Sequence, residues 1–322
     1  MEPLDQLPPI APREREAATG TARRIADNVR SAVQVAPRTL EHVLVALIAE
    51  GHILMEDHPG VGKTALARAL ARSIDGQFAR IQCTADLLPS DVAGTNVYDQ
   101  RAGRFEFRPG PVFANVVLVD EINRASPRTQ SGLLECMQER RVTVDVHTHE
   151  LARPFIVIAT QNPVEYEGTY PLPEAQVDRF MVRVSLGYPA RDDEIAMLDR
   201  HAAGDRVLAL QPVVTTADVL AAQDAAARVR ATRPLLDYLV RLLERTRADA
   251  RVELGASPRA GLLLLRAAKA RAMLHGRDHV LPDDVQALAQ PVLAHRLLLA
   301  PEAAGATAAD VVADAVAAVP AL

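Results

Sequence analysis

Three clusters of residues in this sequence have the types and spacing for phosphate chemistry. The first is Asp57-His58-Pro59-Gly60-Val61-Gly62-Lys63-Thr64-Ala65, a turn rich in Pro and Gly that ends in a cation and a hydroxyl. The backbone N–H groups of such a turn face inward and the helix after it presents its positive end, so together they wrap a phosphate. Lys63 would bridge the β- and γ-phosphate oxygens of ATP, and the Thr64 hydroxyl would ligate Mg²⁺. The pattern G-x-x-x-x-G-K-[ST] expects glycine where Asp57 stands. Asp tolerates a left-handed backbone, so its carboxylate either faces the phosphates or only shapes the turn. We favour the second reading, in which Asp57→Gly is near neutral.

The second cluster is Val116-Val117-Leu118-Val119-Asp120-Glu121, an apolar run that ends in two carboxylates. This puts the acids at the carboxyl end of a buried strand, where α/β sheets bind ligands. Asp120 can hold Mg²⁺ through its water shell, and Glu121 can polarise the water that attacks the γ-phosphate. The third is Phe155 to Pro163, where a strand runs into Thr160-Gln161-Asn162 and Pro163 stops it. Asn162 then sits beside the Glu121 water as a hydrogen-bonding sensor of the γ-phosphate.

Elements must position these clusters, and the apolar pattern supplies them. Between 51 and 188 the runs Ile53–Met55, Phe78–Ile81, Val116–Val119, Phe155–Ala159 and Met181–Val184 alternate with helical stretches, which implies an α/β fold with a parallel sheet. Helical spacing marks Thr21–Ala36 and Arg38–Glu50 ahead of it, split by Pro37. Beyond Gly187-Tyr188-Pro189 the segments Thr216–Arg230, Pro234–Arg247 and Pro258–His275 read as helices with no strand among them. The alanine-rich stretch Pro301–Leu322 reads as helix too. The expected organisation is a poorly ordered tail at 1–20, an α/β core at 21–188 and a small all-α domain at 189–322.

Composition narrows the function. The chain of 322 residues is 49% hydrophobic and 24% charged, enough for substantial cores, and its net charge of -5 gives no global basic field for nucleic acid. Two distant cysteines, Cys83 and Cys136, form no metal knuckle or disulfide framework. With neither a signal peptide nor an apolar run near the roughly 18 residues of a membrane span, the expectation is a cytoplasmic protein.

With the three clusters aligned, the chain resembles the MoxR family of AAA+ ATPases over about residues 25 to 300. The resemblance rests on Gly60–Thr64, Val119-Asp120-Glu121-Ile122-Asn123-Arg124-Ala125, Thr160–Pro163, Glu167–Gln176, Asp178-Arg179-Phe180 and Gly255-Ala256-Ser257-Pro258-Arg259-Ala260. It implies an AAA+ P-loop core with a five-stranded parallel sheet, then an all-α lid. It also implies a homo-oligomeric, hexameric ring in which Arg179 is the arginine finger for the next subunit's nucleotide. Arg259 is then the second sensor, supplied by the lid of the same subunit. ATP and Mg²⁺ are the implied cofactors, and the work is chaperone-like remodelling or maturation of a client protein, often one with a von Willebrand factor A domain.

Two hairpins accompany the core. Tyr98–Pro109, with Phe105 and Phe107 alternating about Gly103 and Arg104, resembles the family's helix-2 insert, which projects toward the ring centre. Arg141–Arg153 alternates Val142, Val144 and Val146 against polar residues, and its His147 and His149 share a strand face that lacks a third metal ligand. Two rival functions stand beside the main one: an ATP-gated scaffold with negligible turnover, supported only by Asp57, and a nucleic-acid motor, disfavoured by the acidic balance and the mixed charges Asp99, Arg101, Arg104 and Glu106. If Lys63 is the cation among the phosphates, Lys63→Ala will weaken ATP binding by at least about 100-fold in calorimetry. Thr64→Ala will chiefly weaken the Mg²⁺ dependence, and wild-type affinity in the Lys63 variant would displace the phosphates from this loop.

Overall fold

The computed structural model describes residues 9–58, 60–162, 169–188, 191, 206–303 and 305–321. In chain order, α1 (Pro12–Ala32) and α2 (Pro37–Ile48) precede β1 (Ile53–Glu56), α3 (Lys63–Ser73) and β2 (Phe78–Gln82). A short α4 (Pro89–Ala93) leads into the hairpin β3 (Gly94–Asp99) and β4 (Arg104–Pro109), followed by β5 (Val116–Asp120) and α5 (Pro127–Glu139). A second hairpin, β6 (Arg141–Val144) and β7 (His147–Glu150), precedes β8 (Ile156–Gln161), the single turn α6 (Glu174–Val177) and β9 (Val182–Val184). The lid holds α7 (Arg206–Ala209), α8 (Thr216–Ala227), α9 (Arg233–Arg247), β10 (Val252–Leu254), α10 (Pro258–Leu274), α11 (Pro282–Leu293), β11 (Leu298–Leu299) and α12 (Ala308–Ala318).

The five core strands form one parallel sheet in the order β2-β5-β8-β1-β9. Its pleat sorts the apolar runs onto two faces. Ile53, Met55, Val116, Leu118, Ile156 and Ile158 join α1, α2, α3 and the lid helices in one cluster. Leu54, Val117, Val119, Val157 and Ala159 join α5 and the base of the hairpins in the other. Strands buried on both faces read as continuous apolar runs, which is why the sequence pattern located them. The helix starts follow local chemistry: Ser126 caps α5 by accepting the Thr129 N–H at 3.3 Å, Ser257 caps α10 by accepting the Ala260 N–H at 3.1 Å, and each is followed by Pro at the first helical position.

Two expectations need correction. The poorly ordered tail does not extend to residue 20, because α1 begins at Pro12. A proline in the first turn starts a helix as readily as it breaks one. Long-range contacts then hold the segment, with Thr19 donating to the Met273 carbonyl at 2.8 Å and Glu14 pairing with Arg228 at 3.1 Å. Nor is the region after 188 purely helical, since β10 and β11 pair as a short antiparallel ribbon. The lid also packs directly on the N-terminal helices: Gln223 donates to the Leu47 carbonyl at 2.8 Å and Arg271 pairs with Glu41 at 3.0 Å. Among the described residues, no helix is long and apolar enough to cross a membrane.

His52, just ahead of β1, pins the sheet to α5. Its Nδ1 accepts the Val157 N–H at 2.9 Å, so the proton sits on Nε2, which donates to the Met137 carbonyl at 3.0 Å. Burial lowers its pKa from the ordinary 6.5 to about 4. Because the folded value lies below the unfolded one, the unfolded chain takes up the proton first. The neutral-His52 contribution is therefore fully present above pH 6.5, is lost as pH falls toward 4, and changes no further below that. The loss amounts to about 3 kcal/mol at most, and His42, lowered to about 4 mainly by burial, adds to it. Urea midpoints should fall across this window, and should fall less in His52→Gln, whose amide can make both hydrogen bonds without titrating. An unchanged pH dependence in that variant would contradict the assignment.

Candidate functional site

The polar chemistry collects at the carboxyl edge of the sheet. From β1 the chain enters the phosphate loop, where Gly60 at φ 86° and Gly62 at φ 97° take backbone conformations that side chains resist. Helix α3 starts at Lys63, so the free N–H groups of its first turn point into the loop. Lys63 Nζ lies over that turn, donating to the carbonyls of Asp57 at 3.0 Å and His58 at 3.3 Å. Val61, Lys63, Thr64 and Ala65 are half-buried around it. Pro59 lies outside the described residues.

The Asp57 side chain is engaged outside the phosphate loop. Asp57 is 5% exposed, and its carboxylate accepts from the Ser185 hydroxyl at 2.7 Å, the Leu186 N–H at 2.6 Å and the Gly187 N–H at 3.0 Å. The side chain therefore fastens the loop to the segment after β9, and Asp57 belongs to the site through its carbonyl. This overturns the expectation of a residue that only shapes the turn. Next to it, the His58 ring stacks on Tyr188, centroids 5.7 Å apart.

Asp120 and Glu121 are held as a unit by a residue that the sequence reading did not single out. The buried Thr160 hydroxyl accepts the Glu121 N–H at 2.9 Å and donates to Asp120 Oδ1 at 3.2 Å. Glu121 itself adopts a left-handed conformation at φ 56°, which turns its side chain off the strand direction. From β2, Arg80 Nε donates to Asp120 Oδ2 at 2.6 Å, and Gln82 Nε2 donates to Glu121 Oε2 at 3.3 Å. Arg124 also pairs with Glu121 at 3.1 Å. The signal for Arg80 and Gln82 was present: two polar residues one pleat apart near the end of an apolar strand, with Gln82 directly opposite Asp120. Asn162 follows the last residue of β8, the strand between those that carry Asp120 and the phosphate loop. Thr64 and Asp120 offer a hydroxyl and a carboxylate at one edge of the sheet, hard oxygen donors of the kind Mg²⁺ takes.

The two arginines lie near each other. Burial, and then the nearby Arg259 guanidinium, lower the pKa of Arg179. Arg259 pairs with Asp178 at 3.5 Å, and the same carboxylate receives Arg296 at 2.8 Å. Arg259 is thus seated against the Asp178-Arg179 segment, and no ion pair among the described residues joins it to the phosphate loop. The His147 and His149 pair gains no third ligand, since no cluster of potential metal ligands occurs among the described residues. His149 instead stacks on Phe107 with centroids 3.9 Å apart, and Asn96 donates to Asp145 at 2.7 Å, so the two hairpins form one unit. The tip of the first hairpin exposes Phe105 at 71% and Tyr98 at 53%.

Comparison with known proteins agrees with this fold. The family model described as ATPase family associated with various cellular activities (AAA) matches residues 52–182, and the AAA lid domain matches residues 244–315. The chain is 40% identical over 306 residues to Chaperone MoxR1 of Mycobacterium tuberculosis, covering 92% of this chain and 81% of that one. It is 53% identical over 260 residues to YeaC of Bacillus subtilis, 81% of each chain. It is 33% identical over 314 residues to the MoxR protein of Methylorubrum extorquens, 89% of each. A crystal structure from Cytophaga hutchinsonii, of a protein assigned as an ATPase, superposes with TM-score 0.90 at 39% identity, covering 96% of this chain and 97% of that one.

The three hydrogen bonds on Asp57 make its replacement by the usual glycine costly. Asp57→Gly leaves two part-buried N–H groups unpaired, a loss of roughly 2 kcal/mol. ATP affinity in calorimetry should fall by at least about tenfold, with a smaller loss in Ser185→Ala. Unchanged affinity in Asp57→Gly would show that the loop holds its shape without this anchor.

Proposed function

The chain belongs to the MoxR family of AAA+ ATPases, and from that membership we propose that it hydrolyses ATP in a homo-oligomeric ring to remodel or mature a client protein. Lys63 and the first-turn N–H groups of α3 bind the phosphates, Glu121 takes the proton of the attacking water, and Asn162 orients that water against the γ-phosphate. Thr64 and Asp120 would hold Mg²⁺, which would supply charge neutralisation on the phosphate oxygens. Arg179 reaches the nucleotide of the neighbouring subunit in a hexamer. Arg259, seated on Asp178 beside it, travels with the same face.

The single observation that carries this reading is the convergence at one sheet edge of the glycine-shaped loop beneath Lys63 and the carboxylate pair bridged by Thr160. The scaffold alternative loses its only support, because the Asp57 carboxylate is bound elsewhere. The exposed Phe105 and Tyr98 favour an apolar client contact over nucleic acid, and a von Willebrand factor A domain protein is the client we propose. Two buried free thiols, Cys83 and Cys136, fit a reducing cytoplasm.

The test is subunit mixing. Arg179→Ala should bind ATP normally yet lose at least about 100-fold in turnover, and Glu121→Gln should be as inactive. Mixed, they should recover hydrolysis where an intact Arg179 faces an intact Glu121. Mixtures that stay inactive while mixed rings demonstrably form would contradict an arginine acting between subunits.

A further inference from the structure

Gln130, in the second turn of α5, is 1% exposed and lies outside the chemistry described above. Its side-chain nitrogen points at three carbonyls: Ile122 at 3.2 Å, Ala125 at 3.2 Å and Tyr170 at 3.0 Å. Three acceptors around one terminal atom identify that atom as the nitrogen. Two of these carbonyls flank the tight turn Ile122–Arg124 that directly follows Glu121. The third opens the segment that leads to Arg179. A fourth bond ties the same two segments, with the Tyr170 N–H donating to the Asn123 carbonyl at 2.6 Å.

From Tyr170 the chain has little freedom before Arg179. Pro171 and Pro173 stiffen it, Leu172 is buried in the α5 cluster, and the turn α6 ends with the Arg179 N–H bonded to the Gln176 carbonyl at 3.1 Å. Gln176 in turn donates to Ser131, the next residue of α5, at 3.4 Å. Helix α5 therefore holds the turn behind Glu121 and the segment behind Arg179 through adjacent residues. The Gln130 side-chain oxygen is buried and has no hydrogen-bond partner among the described residues. Such an atom costs stability, so an apolar side chain would suit the packing better than an amide that binds on one side only.

We propose that Gln130 is a positioning residue that couples the two halves of the catalytic unit: it fixes Glu121 for the nucleotide of its own subunit and Arg179 for that of the neighbour. This rests on the ring reading above. Displacing the Gln130 nitrogen lets both segments shift, so a single substitution impairs a subunit as water activator and as arginine donor together.

The test uses Gln130→Met, similar in length and unable to donate. ATP affinity should stay within about threefold of wild type while turnover falls about 100-fold, the scale that a small misplacement of catalytic groups produces. Mixed with Glu121→Gln, the variant supplies the carboxylate; mixed with Arg179→Ala, it supplies the arginine. Both mixtures should stay inactive, while Glu121→Gln mixed with Arg179→Ala recovers. Recovery in either Gln130→Met mixture, or turnover near wild type in the variant alone, overturns the coupling. If the Glu121→Gln and Arg179→Ala control itself stays inactive in demonstrated mixed rings, the ring reading fails, and hydrogen exchange then judges Gln130 without turnover. The Arg124 and Tyr170 amides should both exchange at least about tenfold faster with the β1 and β8 amides unchanged; acceleration at one alone, or throughout the sheet, overturns the inference. Should Gln130→Met not fold, Tyr170→Pro, which removes the N–H to Asn123, is compared with Tyr170→Ala, which keeps it. A further tenfold loss of turnover in the proline variant supports the coupling, and equal turnover overturns it.

Discussion

A parallel sheet covered on both faces leaves its strands no outlet for polar chemistry except their ends, and the functional groups of this chain are arranged around that constraint. The strand order sets which groups meet. Because β8 runs between β5 and β1, the hydroxyl of Thr160 reaches the Asp120 carboxylate and the Glu121 N–H, and Asn162 emerges between β5 and the phosphate loop. Because β2 flanks β5 on its other side, Arg80 and Gln82 reach the same carboxylates from the edge. Two adjacent acids at the end of a buried strand would repel each other with nothing to hold them. The Thr160 hydroxyl and the Arg80 guanidinium hold the two oxygens of Asp120, and Arg124 and Gln82 hold Glu121, which offsets that repulsion.

The same edge is connected to more distant parts through buried and half-buried carboxylates. Asp57 binds the phosphate loop to Ser185, Leu186 and Gly187. Asp178 gathers Arg259 and the almost wholly buried Arg296 from the lid, and Arg296 also donates to the carbonyls of Phe180 and Val292. The segment that carries Arg179 is thus gripped from the lid on one side and from α5 on the other. Buried charge is expensive unless paired and fully hydrogen-bonded, and at Asp178 that condition is met only while lid and core stay docked.

The α/β core with its five-stranded sheet and helical lid was legible from sequence, as were the two hairpins, because each depends on local periodicity and on turn residues. The glycine loop and the Asp120-Glu121 pair stood out for the same reason: apolar runs that end abruptly in polar types. What could not be read was partnership across the fold. Asp57 finds its hydrogen bonds 128 to 130 residues away, so a departure from the glycine pattern looked like a tolerated turn when it is an anchor. Thr160 was quoted only as part of a motif, and its role depends on β8 lying beside β5. Arg259 has the same difficulty, since its position relative to Arg179 comes from how the lid docks. His149 was weighed as a metal ligand for want of knowing that Phe107 covers its ring. At the N-terminus the error was of another kind: residues 1–20 were expected to be a poorly ordered tail, while Pro12 starts α1.

The central claim is that the nucleotide is bound by Lys63 of one subunit and completed by Arg179 of the next. A structure of the assembled ring with Mg²⁺ and a non-hydrolysable ATP analogue addresses it most directly. The account predicts γ-phosphate density within hydrogen-bonding distance, about 3 Å, of Lys63 in one subunit and of Arg179 in its neighbour, with Glu121 and Asn162 of the first subunit facing it. Density bounded only by residues of a single subunit, with Arg179 turned to its own chain or to solvent, would contradict it.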